Sequence, residues 1–254
     1  MIFPLNKDIV GLDQPKAKSK FAPGDFGYKA VAAIWLVALL SCMVAMSRYA
    51  SNPGPTGQPP DRWPVDSLIA LDAQRPTLLM FAHPKCPCTR ASIRELEQLM
   101  SDCRGLVDAQ VWFIQPAGTH PGFVDTDLWR SAAAIPGVTV HADKDGTEAQ
   151  RFQSWTSGET VLYVPSGELW FHGGITIARG HEGDNPGLDE IENLLKVPGA
   201  DAPRPALAST PVFGCELFGS CTRQDNLPDT NQCPGVNVNQ NSIHTHRRDA
   251  NWKL

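Results

Sequence analysis

The sequence is short of charge. Only 19% of its 254 residues are Asp, Glu, Lys or Arg, and the net charge is −5. It has no basic stripe, which excludes nucleic acid as a partner. It has no internal repeat, which excludes a solenoid or propeller. Its seven cysteines (42, 86, 88, 103, 215, 221 and 233) are too few and too scattered to staple a mini-fold, and the odd count leaves at least one thiol without an internal mate. What it does have is 22 prolines and 21 glycines. Proline and glycine at that level point to one globular domain with non-globular flanks.

Ala30–Ser47 carries no charge and lies between Lys29 and Arg48. A helix over 30–47 is apolar on every side and about 27 Å long, close to the thickness of a bilayer's hydrocarbon core. Residues 1–29 hold five lysines, against Arg48 and Arg62 alone over 48–62. That bias predicts a single-pass span with residues 1–29 in the cytoplasm and the remainder outside it, in the periplasm for an inner membrane. Residues 48–66 include SNPGPTGQPPDRWPVD, which reads as an extended spacer. Residues 67–197 alternate strand and helix signals: strands at Leu78–Ala82, Ala109–Gln115 and Val138–Ala142, a hairpin around Pro165-Ser166-Gly167, and a closing helix entered through Asn185-Pro186. That order predicts an α/β fold with a mixed sheet flanked by helices. Residues 198–254 are polar and proline-rich and read as a largely irregular tail.

The chemistry concentrates in Thr77–Met100, TLLMFAHPKCPCTRASIRELEQLM. It reads as an apolar strand, a tight loop and an amphipathic helix, with Cys86 and Cys88 at the helix's positive end. If Cys86 caps the helix, Pro87 takes the first helical position and Thr89 the third. Free backbone N–H groups then lower the Cys86 pKa. Arg90 and Arg94 add positive charge one turn on. Cys86 is thus the expected nucleophile and Cys88 the resolving thiol, through a small, strained and readily reduced ring. A start at Ser92, with Glu95 completing a capping box, would leave both thiols in a loop open to a soft metal.

This stretch resembles the thioredoxin-like superfamily, in its membrane-anchored extracytoplasmic TlpA/ResA-type branch. Val138-Thr-Val-His-Ala-Asp-Lys-Asp-Gly146 and the closing hairpin extend the likeness over about residues 65–197. HPKCPCTRAS and GGITIARGHEGDN are similar to proteins known as RedB. The resemblance implies a thioredoxin fold and a thiol–disulfide oxidoreductase acting on protein thiols and disulfides. Such a protein is supplied by a membrane or extracytoplasmic electron donor and needs no cofactor. Two departures stand out. The family spacing is Cys-x-x-Cys, so either Lys85 holds the first cysteine's place, with Pro87-Cys88 aligned on the usual Pro-Cys, or Thr89 holds the second's, with Cys86 as the first. The cis-proline that shapes peptide docking and keeps metals off the thiols is absent, with Thr156-Ser157-Gly158-Glu159 in its place. The same thiols therefore offer an alternative, a copper(I)-binding module with His181 or His83 as third ligand.

In that topology the 173–185 loop emerges beside Cys86 and puts Arg179, His181 and Glu182 in reach of the thiols, for tuning or proton transfer. His83, just before the loop, is near enough to touch them. Cys103, on the helix's apolar stripe, is expected in the core. For Cys215 two outcomes stay open. A local disulfide with Cys221 is slightly favoured; the other is docking of Val212–Phe218 over the active face, which brings Cys215 to Cys86.

Overall fold

The computed structural model describes residues 25–196 and 207–218. Two units separate, Met1–Ser47 and Arg48–Leu254. The first is the greater part of helix α1, Asp25–Ala50, in which Gly27–Ala50 forms 24 residues of mean hydropathy 2.3. That stretch is long and apolar enough to cross a membrane.

The second unit is built on β1 (Thr77–Ala82), α2 (Thr89–Asp102), β2 (Asp108–Gln115), α3 (Asp127–Ala133), β3 (Val138–Lys144), α4 (Thr147–Arg151), β4 (Glu159–Tyr163), β5 (Leu169–Gly174), α5 (Pro186–Lys196) and a two-residue β6 (Ala208–Ser209). The sheet order is β3-β2-β1-β4-β5-β6. Strands β1, β2 and β3 are parallel, and β4 runs antiparallel to both β1 and β5. Three parallel strands need crossover helices, and α2 and α3 supply them. The antiparallel pair needs only the turn at Pro165–Gly167.

Strand β1 is buried along its whole length because both faces are covered. Leu78 and Met80 join Ile93, Leu96 and Leu99 of α2 and Ile191 of α5 in one core layer. Leu79 and Phe81 face Ala149, Phe152, Val161 and Tyr163 in the other. Cys103 is fully buried in the first layer, as its place on the stripe implies. Central burial of β1 matters for function, since it fixes the strand end from which the cysteine loop departs.

Residues 48–66 depart from the expectation of a free spacer. The backbone is extended but lies against the domain. The Gly54 N–H donates to Val212 O at 2.8 Å, the Trp63 N–H to Gly167 O at 2.8 Å, and the Tyr163 hydroxyl to Pro60 O at 2.7 Å. Trp63 packs edge-on against Phe152 and Tyr163. Proline removes backbone donors but its carbonyls still accept, as Pro55 and Pro60 do from Thr156 and Tyr163, while the non-proline residues Gly54, Gly57 and Trp63 donate to the domain.

The tail also docks in part. β6 adds to the edge of β5, and Val212 and Leu217 are buried. The expectations for residues 1–24 and for Cys221 and Cys233 lie outside the described residues.

Candidate functional site

The site forms where β1 ends. The Cys86 N–H bonds His83 O at 3.1 Å. Three successive i→i+3 bonds follow, from the N–H groups of Thr89, Arg90 and Ala91 to the carbonyls of Cys86, Pro87 and Cys88. The capping position before α2 is Cys88, with φ −66° and ψ −30° and no side-chain cap. The start therefore falls between the two expected ones, because a tight 3₁₀ turn at Cys86–Thr89 feeds the α-helix.

Cys86 is 1% exposed and Cys88 9%. The groups against the Cys86 sulfur are polar. Cys215 Sγ stands 2.9 Å from Cys86 Sγ, and the Cys215 N–H points at the same sulfur at 3.4 Å. The Thr89 hydroxyl and N–H also bond it. Thr89 Oγ1 lies 2.6 Å from Ser157 Oγ, which accepts from the His83 N–H at 2.8 Å. Ser157 thus ties the cysteine loop to the segment before β4. Sequence reasoning passed over it because a serine beside a glycine reads as a turn residue.

These contacts decide where charge sits. Burial opposes a Cys86 thiolate, but the hydrogen bonds from Cys215 and Thr89 outweigh it and hold the pKa below the ordinary thiol value. Cys215 goes the other way. Burial, its hydrogen bond to Cys86 and the nearby thiols push it up to about 12. Burial and the charge on Cys86 also raise Cys88, against the pull of the Arg179 guanidinium. The first proton to leave the cluster is the one on Cys86.

Of the expected neighbours, Arg179 is in place. It bonds Cys88, and its Nη1 donates to Gly214 O. Its Nε is buried and lacks a hydrogen-bond partner among the described residues. Arg90 and Glu182 turn elsewhere: Arg90 pairs with Asp127, and Glu182 with Arg94 at 3.1 Å. Both pairs are solvent-exposed, where side chains of opposite charge meet more cheaply than at a covered thiol. His83 orders its own loop, with Nδ1 accepting from the Lys85 N–H at 3.2 Å. Asn185 pins the 173–185 loop through bonds to the Ile177 N–H and Gly183 O.

The third ligand-type group beside Cys86 and Cys88 is Cys215, not His181 or His83. The three sulfurs lie within 4.8 Å of one another. Cys215 is unbridged and has met the Cys pair, which is the second of the two outcomes the sequence left open.

A β3-β2-β1-β4-β5 core with β4 reversed, and paired thiols at the β1–α2 junction, defines a thioredoxin-like fold. No protein-family model and no curated protein matches the sequence. Among solved structures, the chain is similar to an uncharacterised conserved protein from Geobacillus kaustophilus, at 17% identity over 66% of this chain and 92% of that one, TM-score 0.46. A hypothetical protein from Sinorhizobium meliloti is 18% identical over 66% and 96%, TM-score 0.46. StoA from Bacillus subtilis is 12% identical over 56% and 97%, TM-score 0.38.

Proposed function

We propose that this protein is a thiol–disulfide oxidoreductase anchored by α1 in the inner membrane, with its N-terminus cytoplasmic and its thioredoxin-like domain in the periplasm. Within that fold this reading places it with the TlpA/ResA-type proteins and with RedB, on the HPKCPCTRAS and GGITIARGHEGDN stretches. The carrying observation is Cys86, whose sulfur sits at a strand-to-helix turn with the Thr89 hydroxyl, the Thr89 and Cys215 N–H groups and the Cys215 thiol all directed at it. A thiolate so held attacks a partner's disulfide and forms a mixed disulfide, which a neighbouring thiol resolves. The substrates are protein thiols and disulfides, and a membrane or extracytoplasmic donor closes the cycle.

The test is a titration of the full chain in detergent micelles across reduced and oxidised glutathione, counting free thiols. Two thiols are expected to disappear together at a moderate potential. Thiols that ignore the buffer would remove the proposal.

The sulfur cluster favours a second reading, a copper(I) site made by Cys86, Cys88 and Cys215. Soft thiolates select this ion, and three of them match a low coordination number. Cys88 and Cys215 must shed protons to bind it, so affinity is expected to rise with pH. In competition with a chromogenic chelator, Cys215→Ser is expected to weaken copper(I) binding about tenfold or more, whereas His181→Ala leaves it unchanged. Affinity indifferent to all three cysteines sinks this reading.

A further inference from the structure

Cys86 has a polypeptide cover. From β6 onward, residues 208–218 run over the end of the sheet above the cysteine loop. Thr210 Oγ1 donates to Gly174 O at 2.7 Å, the Ser157 N–H to Cys215 O at 2.8 Å, and the Leu217 N–H to Trp155 O at 2.8 Å. The 214–217 stretch is thus an antiparallel partner of Trp155–Ser157, with Thr156 bridged to Glu216. Val212 and Leu217 are 1% and 2% exposed, and the Phe218 ring meets Trp155 edge-on at 5.5 Å. The sequence is adapted to this approach. A Cβ on Gly214 would fall 1.9 Å from Ser157 O, and one on Gly173 2.2 Å from Thr210 O. A side chain at either position would lift the strap.

Two thiols compete to bond Cys86. Cys215 Sγ is 2.9 Å away, and a disulfide of about 2.05 Å needs less than about 1 Å of further approach. Cys88 Sγ is also within 4.8 Å, but it lies two residues on in a turn already closed by i→i+3 hydrogen bonds, and a disulfide across one intervening residue is a small, strained ring. Bonding it requires the turn to open.

We infer that Cys215 is the redox partner of Cys86, so that the domain's working disulfide is Cys86–Cys215 and the strap is a cover that oxidation locks and reduction releases. This rests on the exchange reading above. In the reductive step a thiolate of a dithiol partner attacks Cys215 Sγ, on the more exposed of the two residues. A partner–Cys215 bond forms, the Cys86–Cys215 bond breaks, and Cys86 leaves as a thiolate. The partner's second thiol loses its proton and attacks the partner's own sulfur, and the expelled Cys215 takes that proton up. Two electrons pass from partner to domain, and the partner carries away the disulfide. Thr89 stabilises the departing Cys86, and a stabilised thiolate leaves faster. With the covalent tie gone, only hydrogen bonds and apolar contacts hold the strap, and it can rise to expose Cys86.

The test uses the full chain in detergent micelles, oxidised in glutathione buffer, trapped by alkylation, digested and mapped by tandem mass spectrometry. The expected linkage is Cys86 to Cys215. Cys88→Ser is expected to keep the two-thiol transition, and Cys215→Ser to lose it. Gly214→Val, which retains every sulfur but blocks docking, is expected to reduce the linked species at least tenfold. A Cys86–Cys88 or Cys215–Cys221 linkage overturns the inference while leaving the exchange function standing, as does a transition that survives in Cys215→Ser but not in Cys88→Ser. No transition in the wild-type chain removes both. If Cys215→Ser does not fold, the wild-type linkage map decides.

Discussion

Replacing Cys86 with serine is expected to reduce thiol–disulfide exchange by about a thousandfold or more, to the background rate. A serine hydroxyl stays protonated at neutral pH, so no anion forms at the turn. The neighbours do not compensate. Burial raises Cys88 above the ordinary thiol value, and Cys215 is pushed up to about 12, so neither is ionised to a useful extent at pH 7. Thr89→Val separates the stabilising groups from the sulfur itself. It keeps the shape and the backbone N–H but deletes the hydroxyl that bonds Cys86 and Ser157. The pH midpoint of exchange is then expected to move upward, because the charged form has lost a donor while the burial that opposes it stays. Both variants are read by following exchange with a disulfide reporter from pH 5 to 9. A Cys86→Ser protein that still turns over the reporter, or a midpoint that falls in Thr89→Val, contradicts this account.

The sequence carried the β-strands well because each is bounded by turn residues, and β1 and β4 are buried along their whole length, so short apolar runs were sufficient signal. Leu78–Ala82 and Val138 onward sit where periodicity put them. The hairpin reversal at Pro165–Gly167 followed from proline and glycine chemistry. The site was legible only for its local part. Cys86, Cys88 and Thr89 are neighbours in the chain, and Arg179 came from topology. Cys215 is 129 residues from Cys86; the apolar cluster around it left docking onto Cys86 as one of two open outcomes, and nothing local decided between them. Its signal lay in glycines that seemed like ordinary loop residues, Gly173 and Gly214, whose purpose appears only when two distant backbones meet. The 48–66 segment misled for the opposite reason. Proline-rich composition predicts an extended backbone correctly, but extension does not specify whether that backbone stands free or lies in a groove. Arg90 and Glu182 have the charges expected at a thiol site, and each found a nearer opposite charge in solvent.

Glu159 links the covers to the core and gives the domain a pH dependence. Its carboxylate is fully buried beside β1, across from Phe81. It accepts the Gly57 N–H at 3.1 Å and the Trp155 N–H at 2.9 Å, and bonds the Thr156 N–H as well. One side chain therefore holds the 48–66 segment and the 155–157 edge on which the strap lies. Burial raises its pKa from 4.5 to about 7, with the three N–H groups pulling against it. The folded state thus binds this proton more tightly than the unfolded chain. Its contribution to stability is complete below pH 4.5 and is lost as pH rises through 7, a change of about 3 kcal/mol. Glu159→Ala leaves buried N–H groups without an acceptor and is expected to destabilise the domain by about 3 kcal/mol at pH 5. Because the alanine cannot titrate, the gap between the two proteins is expected to narrow by a similar amount by pH 7.5. Urea unfolding followed by tryptophan fluorescence at both pH values measures it. A gap of the same size at pH 5 and 7.5 would mean that the carboxylate stays charged throughout. The three N–H groups would then have overcome burial, and the 155–157 edge would be held equally well at either pH.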